Sequence, residues 1–148
     1  MIVFALRHAN RTPDPADDLS PAGMARAKLL ARMLAESGVA TAYCSSARRT
    51  QRTIAPLKAL LGDRLDIVVV ATSAADHVQQ IVDKMKALPD DAVAAVVGHS
   101  DTVPLIIKGL TGRTVDDIAA HEFDKLFVLS VFAGGASTVA LTRYGEPT

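Results

Sequence analysis

Short apolar runs rich in β-branched residues alternate along this chain with longer segments in which apolar residues recur every three or four positions. Runs of the first kind are typical of buried strands, and segments of the second kind are typical of amphipathic helices. Their alternation predicts an α/β domain with a largely parallel sheet. The strand candidates are residues 2–6, 39–43, 66–70, 92–97, 126–132 and 137–142.

The last two strand candidates are separated by Gly134-Gly135. Two glycines between alternating apolar runs accept the positive φ angles of a tight hairpin turn. We therefore expect these two strands to pair antiparallel, which makes one edge of the sheet antiparallel.

Four helices are predicted between the strands. The first begins with Ser20 as its N-cap and Pro21 in its first turn, and it closes at Ser37-Gly38. The second covers about residues 47–61, the third ends before Pro89, and the fourth covers about residues 102–110. The apolar positions assigned to the first helix are Leu29, Leu30, Met33 and Leu34, and those of the third are Val78, Ile81, Val82 and Met85.

Size and charge narrow the possible classes of protein. The 148 residues fit one domain, 1–148, which can bury a hydrophobic core without a disulfide or a structural metal. Basic and acidic side chains balance at 16 each, so neither nucleic acid nor an anionic membrane surface is an expected partner. No apolar run has the length of about 18 residues that a membrane helix needs.

The single cysteine, Cys44, is expected to be an inert thiol in the core. A lone cysteine cannot form an internal disulfide, which fits a reducing compartment, and we expect a cytoplasmic protein. The sequence leaves the oligomeric state open.

Three polar motifs each follow a predicted strand directly. They are Leu6-Arg7-His8-Ala9-Asn10, Ser45-Ser46-Ala47-Arg48-Arg49 with Thr50 and Thr53, and Gly98-His99-Ser100 with Asp101-Thr102-Val103-Pro104. Ligands of open α/β sheets gather at the carboxyl ends of the strands. The common position of the three motifs therefore predicts one shared site.

The motifs resemble those of the histidine phosphatase superfamily, also called phosphoglycerate mutase-like, and the resemblance covers nearly the whole chain. Arg7-His8-Ala9 is similar to the family's RHG or RHA signature, and Gly98-His99-Ser100 is similar to the setting of its second histidine. The segment that starts at Ser45 is similar to the family's SSxxRAxxT segment. The resemblance implies a single-domain three-layer α/β/α sandwich whose mostly parallel central sheet has an antiparallel edge strand.

The resemblance also implies roles for the motif residues. His8 would be the nucleophile that is transiently phosphorylated, and His99 would complete the catalytic pocket. Arg7 and Arg49 would bind the phosphoryl oxygens, where the spacing to Thr53 selects Arg49 over its neighbour in the sequence.

No motif fixes the general acid. Asp76, after the third strand, is the first candidate, and Asp101, beside the second histidine, is the alternative. Asn10 and Ser100 follow the two motif histidines closely and are expected to contact the substrate phosphate.

The residue types suit phosphoryl transfer. A neutral imidazole is a good nucleophile when a neighbouring acceptor holds the proton on its other nitrogen. The planar fork of arginine matches the phosphoryl oxygens, on which negative charge accumulates. The sequence contains no HExxH, no cysteine pair and no carboxylate cluster of the two-metal type, so we expect neither a metal nor a cofactor.

The resemblance therefore implies a metal-independent phosphatase acting on a phosphorylated small molecule or on phosphohistidine in a protein. Mutase activity is a weaker alternative, because the segments that join the motifs are short and leave little material for a lid. A phosphate-binding or regulatory module without turnover is the rival from another class, since the acid is unassigned.

Other polar residues receive simpler interpretations. His77 and His121 are predicted to be surface or loop residues, with a place at the pocket rim as the alternative for His77. The acidic run 14–18 is predicted to be a solvated loop whose carboxylates favour the N-terminus of the following helix.

Overall fold

The computed structural model describes residues 1–13 and 17–148. Over these residues the chain alternates between strands and helices, as the apolar pattern predicts. The elements in chain order are β1 Ile2–Arg7, α1 Pro21–Leu34, β2 Thr41–Ser45, α2 Arg48–Leu61, β3 Asp66–Val70, α3 His77–Lys86, β4 Val93–Gly98, α4 Thr102–Thr111, β5 Lys125–Val131 and β6 Ser137–Arg143.

The strands form a single sheet in the order β3-β2-β4-β1-β5-β6. The four strands from β3 to β1 are parallel, β5 runs antiparallel to β1, and β6 runs antiparallel to β5. Gly134 and Gly135, in the turn between β5 and β6, have φ angles of 92° and 94°, which only glycine adopts readily. The predicted mostly parallel sheet with an antiparallel edge is confirmed.

Helices cover both faces of the sheet. The helices α3 and α4 pack on one face, where Ile81, Met85 and Ile106 are buried against Val3 of β1. The helices α1 and α2 pack on the other face, where Leu30 is among the buried residues. The architecture is the expected three-layer α/β/α sandwich.

Helix α1 starts as predicted. The side chain of Ser20 accepts a hydrogen bond from the backbone N–H of Gly23, and Pro21 occupies the first turn. The prediction for Met33 is wrong, because this side chain is 44% exposed. The helix packs instead through a stripe that combines large and small residues, Gly23, Arg26, Ala27, Leu30, Ala31 and Leu34, and Met33 lies off this stripe.

Strand β2 begins two residues later than predicted. Val39 is buried, but the strand itself covers Thr41–Ser45. The shift matters because it places Cys44 and Ser45 at the end of a central strand, where the second motif begins. Burial raises the pKa of the Cys44 thiol to about 11, so this side chain is the inert core thiol that was expected.

No helix among the described residues is both long enough and apolar enough to cross a membrane.

Candidate active site

The three motifs meet at the carboxyl edge of the sheet. Strand β1 ends at Arg7 and pairs in parallel with β4, so His8 follows β1 at the level where His99 follows β4. The backbone N–H of His8 donates to the carbonyl of Gly98 at 2.9 Å. The two imidazole rings lie 5.5 Å apart between centroids, in an edge-to-face arrangement.

His8 is held as a neutral imidazole with one free lone pair. Its Nδ1 lies 2.9 Å from the carbonyl oxygen of Ala9, and a carbonyl only accepts, so the proton is on Nδ1. The side chain is 2% exposed, and burial lowers the pKa of His8 to about 3. Nε2 therefore carries a lone pair at neutral pH, which is the state that a nucleophile needs.

Arg7 is fixed by the segment before β5. Its Nη1 donates to the carbonyls of Ala119, Ala120 and Glu122 at 2.9–3.1 Å, and its guanidinium lies 4.1 Å over the ring of Phe123. These contacts set the plane of the guanidinium.

Arg49 and His99 contact each other directly. Nη2 of Arg49 lies 3.2 Å from Nδ1 of His99, and arginine only donates, so Nδ1 accepts and Nε2 carries the proton. Nε2 then donates to Oγ of Ser45 at 2.8 Å. Burial, together with the charge of Arg49, lowers the pKa of His99 to about 4.

Thr53 joins the first motif to the second. Its Oγ1 accepts from the backbone N–H of Ala9 at 2.9 Å and donates to the carbonyl of Arg49 at 2.8 Å. Thr50 similarly contacts Ser45, at 2.9 Å between hydroxyl oxygens. The threonines of the second motif therefore hold α2 against the ends of β1 and β2.

A cleft of about 900 Å³ opens above these residues. The predicted site residues that line it are Arg7, His8, Arg49, Asp76, His99, Ser100 and Asp101. Both acid candidates are exposed at its wall, where Asp76 accepts a hydrogen bond from the side chain of Gln80 at 2.7 Å. The geometry keeps both candidates in reach of the cleft.

Asn10 is not brought to the cleft. Its Oδ1 accepts from Nε of Arg26 at 2.8 Å, and its backbone carbonyl accepts from the N–H of Ser20. Helix α1 approaches this carbonyl so closely that a Cβ at Gly23 would lie 2.0 Å from it. The side chain of Asn10 therefore contacts α1, in place of the predicted phosphate contact.

His77 is buried, and the prediction of a surface or loop residue is wrong. It is 6% exposed, begins α3 and lines the cleft, and its Nδ1 lies 2.9 Å from the carbonyl of Ala71. The alternative place beside the pocket is the correct one. The feature of the sequence that indicated this place is its position one residue after Asp76, at the same sheet edge as the motifs.

Arg11 and Thr72 also line the cleft, and neither was among the predicted site residues. Arg11 lies close enough to Arg7 for its charge to lower the pKa of that guanidinium further, beyond the larger effect of burial. Its position four residues after Arg7 is the feature of the sequence that could have indicated its place in the cleft.

The acidic run contacts α2. Asp17 accepts from Nη1 of Arg49 at 3.0 Å, and Asp18 pairs with Arg48 and Arg52 at 3.3 and 3.4 Å. These two carboxylates therefore pair with arginines of α2, and their predicted effect on the N-terminus of α1 stays a prediction. Residues 14–16 of the run lie outside the described residues.

Within residues 1–13 and 17–148, no group of three or more His, Cys, Asp or Glu side chains could hold a metal ion.

The fold matches the phosphoglycerate mutase-like α/β fold. The family model of the histidine phosphatase superfamily, branch 1, matches residues 6–74, which include Arg7, His8 and Arg49. Residues 6–74 are therefore similar to this superfamily, as the motifs indicate. No curated protein matches the sequence.

Solved structures share the fold over the whole chain. The protein histidine phosphatase SixA in complex with tungstate is 20% identical, with a TM-score of 0.71 and 97% of each chain covered. The mycobacterial glucosyl-3-phosphoglycerate phosphatase is 13% identical, with a TM-score of 0.69 and 97% of each chain covered. The alpha-ribazole phosphatase of Shigella flexneri is 14% identical, with a TM-score of 0.69 and 100% of each chain covered.

Proposed function

We propose that the protein is a metal-independent phosphatase that hydrolyses a phosphomonoester or a protein phosphohistidine through a phosphorylated His8. The observation that carries the proposal is the state of His8. Its Nδ1 donates to the carbonyl of Ala9 and its pKa is lowered by burial, so Nε2 carries a lone pair at neutral pH, and His8 lines the cleft together with several arginines.

In the first step, Nε2 of His8 attacks phosphorus. The new P–N bond forms as the bond between phosphorus and the leaving group breaks, and the leaving group takes that electron pair together with a proton from Asp76 or Asp101. In the second step, water gives a proton to the same carboxylate and attacks phosphorus. The P–N bond breaks, and inorganic phosphate and neutral His8 are released.

Negative charge on the phosphoryl oxygens is stabilised by preorganised donors. Arg7 is held by three carbonyls and a ring, so its remaining N–H groups need no reorganisation to meet the substrate. Arg49 and Arg11 add positive charge in the same cleft, and Ser100 adds a hydroxyl. Because these groups supply the positive charge, the proposed reaction uses no metal and no cofactor.

The structural neighbours support a phosphatase. Those described above are named as phosphatases, and the SixA structure was obtained with tungstate, a tetrahedral oxyanion with the shape of phosphate. Their substrates differ, so the fold alone selects no substrate for this chain.

The first test is hydrolysis of p-nitrophenyl phosphate in the presence of EDTA. We expect turnover by the wild type, none by His8→Ala, and a loss of at least a hundredfold in Arg49→Ala. Arg48→Ala is the matched control, because Arg48 is the neighbouring, 63% exposed arginine and does not line the cleft. Rapid quenching should also trap phosphate on the wild-type protein in an acid-labile, alkali-stable form.

Absence of wild-type turnover, together with thermal stabilisation by inorganic phosphate that His8→Ala or Arg49→Ala removes, would instead identify a phosphate-binding module. Comparing Asp76→Asn with Asp101→Asn assigns the acid. The variant of the true acid loses far more activity on an alkyl phosphate than on p-nitrophenyl phosphate, because nitrophenolate leaves without a proton.

A further inference from the structure

We propose that one side of the catalytic cleft is a subsite for an apolar leaving group without negative charge. The substrate would then carry its phosphoryl group on a ring or hydrocarbon, in preference to a polyol or a group with a second anion. This inference rests on the proposed phosphatase function and names the substrate class of the same site. The subsite, called here the apolar wall, consists of Ala75, Val78 and Leu105.

Leu105 is the first observation. It is 54% exposed, and among the large exposed hydrophobic side chains of the described residues it is the one that lines this cleft. An exposed leucine gains free energy when a ligand covers it. Leu105 lies in the same cleft as His8. The part of a bound substrate that covers Leu105 is therefore the leaving group attached to the phosphoryl group.

The other two residues of the apolar wall come from the neighbouring helix. Ala75 precedes α3 and Val78 lies in its first turn, whereas Leu105 lies in α4. These helices are in close contact, since a Cβ at Gly109 would lie 2.7 Å from a methyl carbon of Val82. The close packing fixes the spacing of the wall, as a preformed subsite requires.

Charge is the second, independent observation. Asp76 is adjacent to Ala75, and Asp101 lies one helical turn before Leu105; both carboxylates are exposed in the cleft. The arginines that line the cleft instead come from the end of β1, from the loop after it and from α2. One of the two carboxylates carries the proton for the leaving group, and the other is negatively charged. A carboxylate or second phosphate on the leaving group would meet this negative charge at the wall, whereas a neutral or cationic ring would not be repelled.

Together, the wall and its carboxylates fit a phosphorylated ring, such as a phenol or an imidazole. Such a group can cover Leu105 with its flat face, and any N–H at its edge can donate to Asp76 or Asp101. A sugar phosphate or a phosphorylated hydroxy acid would leave Leu105 against hydroxyls or place anions beside the carboxylates.

The test compares substrates whose leaving groups differ in charge and polarity but little in reactivity. Phenyl phosphate is paired with 3-carboxyphenyl phosphate, and hexyl phosphate is paired with glycerol phosphate. We expect kcat/KM to favour the first member of each pair by about tenfold or more. Equal values within both pairs would overturn the proposal.

Variants assign the effect to the wall. Leu105→Ser should raise the KM for phenyl phosphate by about tenfold, with inhibition by inorganic phosphate unchanged, and Leu105→Met should restore it. Leu60→Ser is the matched control, because Leu60 is equally exposed at 54% but lies on α2 outside this cleft. If Leu105→Ser behaves like Leu60→Ser, the wall does not bind the leaving group.

Failure of the proposed function gives a different result, namely no hydrolysis of any of the four substrates by the wild type. Binding then decides the subsite. Calorimetry should find phenylphosphonate tighter than methylphosphonate in the wild type, with the difference lost in Leu105→Ser. Equal affinities for the two phosphonates would overturn the subsite without reference to turnover.

Discussion

The guanidinium of Arg49 donates to Nδ1 of His99 across 3.2 Å. This contact fixes the tautomer of His99 and joins two side chains that lie 50 positions apart in the sequence. It also places a permanent positive charge beside an imidazole, which opposes protonation of the ring.

Replacing Arg49 should therefore raise the pKa of His99. In Arg49→Gln we expect a rise from about 4 by about one pH unit, because burial, the larger cause of the shift, remains. An NMR titration of the His99 imidazole carbons measures the change. Arg48→Gln is the control and should leave the pKa in place. An unchanged value in Arg49→Gln would mean that Arg49 and His99 are not in contact in solution.

The two buried site histidines should make the fold sensitive to mild acid. Their folded-state pKa values, about 3 for His8 and about 4 for His99, lie below the value of about 6.5 in an unfolded chain. Between about pH 6.5 and pH 4 the unfolded state binds more protons, so the free energy of unfolding falls as the pH falls. Each histidine contributes a loss of up to about 1.4 kcal/mol per pH unit in that window.

Urea unfolding at pH 7 and pH 5 in phosphate-free buffer measures this loss. His8→Asn should reduce the difference between the two pH values, because asparagine keeps a donor near the carbonyl of Ala9 but does not titrate. His121→Gln should leave it unchanged, since His121 is exposed. A wild-type free energy of unfolding that is the same at both pH values would contradict the buried, neutral state of the histidines.

The parts of the site that could be predicted are those that local sequence determines. A motif placed directly after a strand lies at the sheet edge whatever the rest of the chain does, and for this reason Arg7, His8, Arg49 and His99 line the predicted cleft. The turn between β5 and β6 was predictable for the same reason. Its two glycines adopt positive φ angles that exclude most other residues.

The misplaced residues depend on contacts between distant segments. Asn10 contacts Arg26, 16 positions away, because α1 passes close to its carbonyl. Asp17 contacts Arg49, 32 positions away. No periodicity or motif encodes such pairs, and only the packing of α1 and α2 on the same face of the sheet brings them together.

Asp17 should compete with phosphate for Arg49. Its carboxylate accepts from both the backbone N–H and Nη1 of Arg49, at 3.3 and 3.0 Å. The pair is solvent-exposed and contributes less than about 1 kcal/mol, so Asp17→Asn should tighten binding of inorganic phosphate by up to about fivefold. Calorimetric titration with phosphate measures the change.

Asp18→Asn, which removes the partner of Arg48 and Arg52, is the control. Weaker binding in Asp17→Asn would mean that the carboxylate orients Arg49 for phosphate.

Thr53 should support both stability and activity through its hydroxyl. The hydroxyl is the acceptor for the backbone N–H of Ala9, directly after His8, and in Thr53→Val this N–H is left buried without a partner. We expect a loss of about 1–3 kcal/mol in the free energy of unfolding and a lower kcat for p-nitrophenyl phosphate, because the loop that carries His8 is no longer held to α2.

Thr53→Ser keeps the hydroxyl and loses only a buried methyl group, so its kcat should stay within about threefold of the wild type. Chemical denaturation and steady-state kinetics on both variants separate the two effects. If Thr53→Ser lost as much activity as Thr53→Val, the methyl group would be responsible and the link from α2 to the His8 loop would have no role in positioning His8.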